Sequence, residues 1–293
     1  MSSSDKEHSY SVGPFGALRD SFLTVDAVIA GFPGRGPLFI EYSEKIVART
    51  WGHQMKLAIM QPYFLPYLGY FHLLDAVDTF VVLDTVKYPN GGWVNRNRVL
   101  IQGRESWLTV PVRSEGQNIC DKSYDLSAGY FKKLRSTIWH AYPRGERLES
   151  FLDVISEWQR SGMSRVSEVN VFFIFEFLTR LGRNRPEFLA ANSFDVGKLV
   201  GQQRVLEIVR SSGASQYINL SGGEALYDSA AFKDAGVELL FVHSNFLPYS
   251  QRSDSFVQRL STLDFFLNEY AAPDAWFGSD AYELRPSSSR SKK

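Results

Sequence analysis

The sequence holds one cysteine, Cys120, and five histidines among 293 residues. A single thiol excludes an internal disulfide, and so few thiols and imidazoles argue against a zinc cluster. Charge of either sign is not in excess: 32 basic and 32 acidic residues give a net charge of +0. No global field therefore draws the chain to nucleic acid or to an anionic membrane. Long hydrophobic runs are missing too. The longest, Val169 to Leu178, is interrupted by Asn170 and Glu176 and is too short to span a bilayer. The N-terminus is serine-rich with mixed charge and has no apolar signal core, so the cytoplasm is the expected compartment. There is no G-x-S-x-G elbow, P-loop, H-E-x-x-H or paired-cysteine motif, and no internal repeat. No cofactor is assigned.

What is present is a soluble globular composition, with hydrophobic residues at 44% and charged residues at 22%, long enough for one large core or two modest ones. Aromatics are high at 14%, most of them expected in the core.

The organising stretch is Met60-Gln61-Pro62-Tyr63-Phe64-Leu65-Pro66-Tyr67-Leu68-Gly69-Tyr70-Phe71-His72. An apolar strand, Lys56 to Ile59, precedes it; a helix from Phe71 to Val77 and a strand from Thr79 to Asp84 follow. Strand, loop, helix, strand opens a largely parallel α/β sheet, whose ligands sit at the carboxyl ends of strands. This loop lies at such an end. Pro62, Pro66 and Gly69 shape its backbone, while Tyr63, Tyr67 and Tyr70 offer hydroxyls.

Three further segments suit a site. Between Val86 and Arg104 there are four basic residues and no acidic one, around the turn Asn90-Gly91-Gly92. Alternation places Trp93, Asn95, Asn97 and Val99 on one face, and Arg96 and Arg98 on the other. Two arginines on one face make a fork for phosphate or carboxylate; the alternative is a solvated strand edge. The strand Gln216 to Leu220 leads into Ser221-Gly222-Gly223 and a helix expected from Glu224 to Asp234. Small residues there let amides approach an anion, with Asn219 and Tyr227 beside them. After a last strand, Val237 to Val242, Tyr249 and Gln251 could bind a sugar, or Tyr249 could plug the core edge. Asp84 is the acid–base or metal-binding candidate, the alternative being a carboxylate that accepts loop amides. His72 and Cys120 are read as structural. Ser261 or Thr262 is read as the cap of the last helix.

Between these segments, a strand from Trp107 to Val112 precedes helices from about Ala128 to Tyr142 (capped by Ser127), Arg147 to Trp158 and Val166 to Leu181. They make a helical layer or inserted subdomain at about 127–183. A strand at Glu187 to Ala190 and a helix at Gly201 to Ser212, stopped by Gly213, complete the order. Residues 1–54, with a short helix at Phe22 to Ile29 and a strand at Leu38 to Tyr42, read as an extension upstream of a natural start at Met55. The α/β domain is expected over 55–276, and 277–293 as a disordered tail.

Taken together, Ile59 to Tyr70, Val82-Leu83-Asp84, Trp93 to Asn97, Leu108 to Pro111, Tyr217-Ile218-Asn219, Gly223, Leu226-Tyr227 and Leu260 to Asp264 resemble the WbqC-like family, in order from about Lys56 to Tyr270. The resemblance implies work on bacterial cell-surface polysaccharide, since such proteins are associated with O-antigen and related glycan clusters. It implies no settled reaction. A fainter resemblance joins Phe64 to Tyr70 to the HxGH loop of nucleotidylyltransferases, with tyrosines where histidines would stand. Neutral tyrosine lacks imidazolium-like charge, so the likeness bears on fold and nucleotide binding rather than on adenylyl transfer.

The reading that follows is a transferase acting on a nucleotide-linked or amino sugar, a small anionic substrate. Asp84, Gln61 and Tyr70 are its catalytic candidates. Tyr63, Tyr67, Asn95, Arg96, Arg98, Asn219, Ser221, Gly222, Gly223, Tyr227, Tyr249 and Gln251 are its binding candidates, and the loops are expected to converge on one cleft. The alternative is a non-catalytic glycan- or nucleotide-binding component of a biosynthetic complex.

Overall fold

A computed structural model describes residues 54–127, 129–268, 273–278 and 280–287. The helix and strand expected upstream of Met55, and the last residues of the tail, lie outside them.

Short apolar runs become the strands β1 (Lys56–Met60), β2 (Thr79–Val82), β5 (Glu187–Ala190), β6 (Gln216–Leu220) and β7 (Glu238–Ser244). They pair in parallel in the order β5-β2-β1-β6-β7. Buried on both sides, these strands are nearly continuous in apolar character, as a covered parallel sheet requires. Alternation still sorts their side chains. Leu57, Ile59, Val81, Tyr217, Leu239 and Phe241 pack under α5 (Gly201–Ser212) and α6 (Ser229–Asp234). Ala58, Phe80, Val82, Ile218, Leu220, Leu240 and Val242 pack on the opposite face, with α1 (Leu68–Asp75).

That second face carries most of the protein. The run from Arg96 to Thr109 forms an antiparallel hairpin, β3 (Arg96–Ile101) and β4 (Arg104–Thr109), apart from the main sheet. Gln102 (φ 53°) and Gly103 (φ 73°) make its two-residue turn, whose primed geometry suits the strand twist. Helices α2 (Tyr130–Ala141), α3 (Glu146–Ser161) and α4 (Val166–Arg180) follow, and their apolar faces join the same continuous core as α1 and the hairpin. Helix α4 is buried nearly all round, including Phe172, Phe173, Ile174 and Phe177.

Four expectations change. The helix expected at Glu224 is divided: Ser221–Leu226 is a 3-10 turn, and α6 starts only after Asp228, whose carboxylate accepts from Ala230 N at 3.0 Å. The strand expected to run to Val112 ends at Thr109, where Pro111, with no amide proton, leaves the ladder. Helix α2 takes Gly129 as its cap, and Ser127 contributes its carbonyl to Tyr130 N rather than its hydroxyl. Nor is β7 the last strand, because β8 (Tyr282–Pro286) pairs antiparallel along its edge, inside the stretch expected to be a disordered tail. Tyr282 explains the docking: its hydroxyl donates to Asp75 and its ring stacks on His72, 5.2 Å between centroids.

Candidate functional site

Parallel pairing puts the carboxyl ends of β2, β1, β6 and β7 on one edge, so the loops after Met60, Val82, Leu220 and Ser244 all start there. The loop at 61–67 is held by side chains from distant elements. Asn97 on β3 donates to the carbonyls of Phe64 and Leu65. Ser261 donates to Leu65 O, and Asn170 on α4 donates to Pro62 O and Val94 O while accepting from Tyr124. Leu65 sits at φ 43°, a costly conformation for leucine that these bonds sustain. Gly69 is required because a Cβ there would lie 2.5 Å from Tyr67 Cε2. Tyr70 is fully buried and its hydroxyl donates to Gln61 O, so it braces the loop from below. Tyr63 and Tyr67 stay partly accessible, Tyr63 tilted 5.5 Å from the Tyr70 ring; burial pushes the Tyr67 phenol up to about 12. The Gln61 side chain is also partly accessible.

Asp84, two residues beyond β2, is half-buried on the α4 side. Burial raises its carboxyl above the usual range; the Ser167 hydroxyl offsets this in part, and Asp121 adds to it as a like charge. Among the described residues Asp84 has no ion-pair partner, and the buried Ser167 hydroxyl beside it is not engaged at close range elsewhere. Cys120 is adjacent, its thiol pushed up to about 11 by burial and by the carboxylates of Asp84 and Asp121, so it is no thiolate nucleophile. His72 is buried: it donates from Nε2 to Trp276 O and accepts from Ser244 at Nδ1, each at 2.9 Å. Burial lowers it to about 4, which makes it a structural neutral imidazole.

The end of β6 carries a second polar cluster. Asn219 donates to both Tyr217 Oη (2.8 Å) and Tyr227 Oη (2.9 Å), and the two phenols are 2.9 Å apart. Tyr217 is fully buried, and either phenol can donate to the other. Helix α5 crosses this edge with its first turn: Arg204 donates to Thr85 O, and Gln202 accepts from Asp228 N. Gly222 is exposed and Ser221 and Gly223 are partly so, but they lie in the 3-10 turn and not at an α-helix N-terminus.

The candidates therefore form two groups at one edge. Asp84 follows Val82 on the α4 face, whereas Asn219 and Tyr227 join the core under α5 and α6. Both groups sit at the carboxyl ends of the strands, where the first turn of α5 bonds Thr85, next to Asp84, and Asp228, next to Tyr227.

Tyr249, Gln251 and Asn95 are committed to structure. Tyr249 donates to Asp264, which also accepts from Tyr142, and Gln251 closes a loop by bonding both N and O of Val257. Asn95 donates to Val110 O. The two arginines do not form a fork: Arg98 pairs with Glu105 at 3.0 Å and donates to Arg259 O, whereas Arg96 bonds the carbonyls of Gly91 and Gly92. Of the residues that hold the site, Asn170, Ser167 and Tyr217 were not singled out for it; the one signal was Asn170, a polar break in an apolar helix. Ser261, read as a helix cap, does accept from Leu263 N, and it also reaches the first loop.

No solved structure matches the chain. The chain is similar to the uncharacterized protein Rv1507c of Mycobacterium tuberculosis, 26% identical over 232 residues, spanning 75% of this chain and 96% of that protein. Residues 61–273 match a single family, beginning at the first loop and running past α7 (Thr262–Asn268). This chain belongs to the WbqC-like protein family.

Proposed function

We propose that the protein is a transferase of cell-surface polysaccharide assembly, modifying a nucleotide-linked or amino sugar, with Asp84 as its acid–base group. The observation that carries this is the chemistry around Asp84. A carboxyl at a strand's carboxyl end, raised by burial and without an ion pair among the described residues, is a stronger base than an ordinary carboxylate. Asp264 makes the contrast: it too is raised by burial, but two tyrosine hydroxyls and an amide hold it. Cys120 and His72 are excluded by their shifts, which leaves Asp84 as the base among the candidates beside the first loop.

In this reading Asp84 accepts the proton of a sugar hydroxyl or amine as that atom attacks the acyl carbon or phosphorus of an activated donor, whose leaving group departs with the electron pair of the broken bond, and Tyr63 and Gln61 border the acceptor. Family membership supports the glycan context. The test is mass spectrometry of nucleotide amino sugars incubated with acyl, aminoacyl or nucleotidyl donors. A product formed by wild type and lost in Asp84→Asn is expected. Saturable binding of the same sugars with no product from any donor would instead make the protein a non-catalytic glycan-binding component.

A further inference from the structure

Two exposed indoles, Trp107 on β4 and Trp93 in the turn before β3, meet on the outer side of the hairpin, which a solvated strand pair has no need of. Trp93 is 36% exposed and Trp107 47%, with ring centroids 5.4 Å apart at 45°. The Arg96 guanidinium lies 4.2 Å from the Trp107 centroid and that of Arg98 5.6 Å from Trp93. The four side chains make one continuous surface, because Arg98 and Trp107 are directly paired across the hairpin. The surface is fixed to the first loop: Phe64 N donates to Trp93 O, and Asn97, between the two arginines, clamps Phe64 and Leu65.

Its charge is specific. Glu105 neutralises Arg98, whereas Arg96 is held only by the neutral carbonyls of Gly91 and Gly92 and makes no ion pair among the described residues. Exposed flat rings next to one uncompensated cation fit a ligand with an apolar ring face and a single anionic group. A polyanion would need a wider basic face.

We propose that Trp93, Trp107 and Arg96 form a saccharide shelf beside the first loop, taking the C–H face of a sugar ring on the indoles and one phosphate on that sugar at Arg96. This rests on the glycan reading above and adds the place and charge of the sugar.

Calorimetric titration with N-acetylglucosamine 1-phosphate tests it, with N-acetylglucosamine and inorganic phosphate as the two halves of the probe. Wild type should bind the sugar phosphate saturably, with a change in tryptophan fluorescence, and each half at least about tenfold more weakly. Trp107→Ala and Arg96→Gln should each weaken binding about tenfold, and Trp107→Phe, which keeps a ring, should retain most of it and controls for folding. Absence of binding, or equal affinity in all variants, would overturn the shelf. So would a dimer that Trp107→Ala splits and sugar phosphate leaves intact, since the indoles would then be a chain–chain contact. Failure of the transferase reading looks different: the shelf binds the sugar phosphate, Asp84→Asn binds it equally, and no donor yields product.

Discussion

The hydroxyl of Tyr249 donates to Asp264 Oδ2 at 2.8 Å, in a pocket where Tyr142 donates to the other carboxylate oxygen at 3.1 Å. Asp264 is fully buried, so its carboxyl oxygens depend on the donors that surround it. A tyrosine that appears in the sequence to be a sugar ligand is thus a support for a buried carboxylate. Tyr249→Phe should cost about 1.5–3 kcal/mol in urea denaturation, the range for a bond to a charged group, and leave sugar-phosphate affinity unchanged. A loss of affinity without loss of stability would return Tyr249 to the ligand site.

Asp84 should show the opposite balance of stability and function. An acid raised in the folded state binds more protons folded than unfolded, so its contribution to stability falls as pH rises from the ordinary carboxyl range through the folded value. At pH 7 the ionised folded form bears the burial cost. Asp84→Asn should therefore melt at or above wild type at pH 7, lose that advantage near pH 4, and abolish turnover. A clear drop in melting temperature at pH 7 would identify Asp84 as a structural acceptor.

His72 works with the reverse sign. Its folded value, about 4, lies below the unfolded one, so the unfolded chain binds more protons as pH falls from about 6.5 to 4, and stability declines across that window. His72→Gln should flatten that part of the pH–stability curve. An unchanged slope would assign the decline to carboxylates.

Helix α4 reaches the first loop through one amide. Asn170→Ala would leave the Pro62 carbonyl without its side-chain donor, at about 1–3 kcal/mol if water cannot reach it, while the Tyr124 hydroxyl and Val94 O, 3.0 Å apart, keep each other. Stability should fall by about 1–3 kcal/mol in urea, and the first loop should lose protection in amide exchange.

Truncation before Tyr282 tests the edge strand. It would remove β8, the Tyr282–Asp75 bond and one ring stacked on His72. The shortened chain should melt lower and expose β7 to aggregation. An unaltered melting temperature would show that β8 adds nothing to the fold.

The sequence alone determined the elements whose physics is local. Apolar runs and their breaks marked β1, β2, β5 and β6, and helical spacing marked α3, α4 and α5; Gly213, in the left-handed conformation, ends α5 as the pattern required. Alternation put Asn97 opposite Arg96 and Arg98 but also put Trp93 on the Asn97 face, whereas Trp93 precedes β3 and stands beside Arg98 and Trp107; the strand–loop–helix order placed the first loop at a strand end. Tertiary structure decided everything that depends on a distant partner. Ser261 reaches Leu65 across 196 residues, His72 reaches Ser244 across 172, and Asn170 reaches Pro62 across 108; no local pattern encodes such pairs. The same limit explains the arginines: the acid that neutralises Arg98 lies across a hairpin turn, so the charge left free on Arg96 is set by strand pairing.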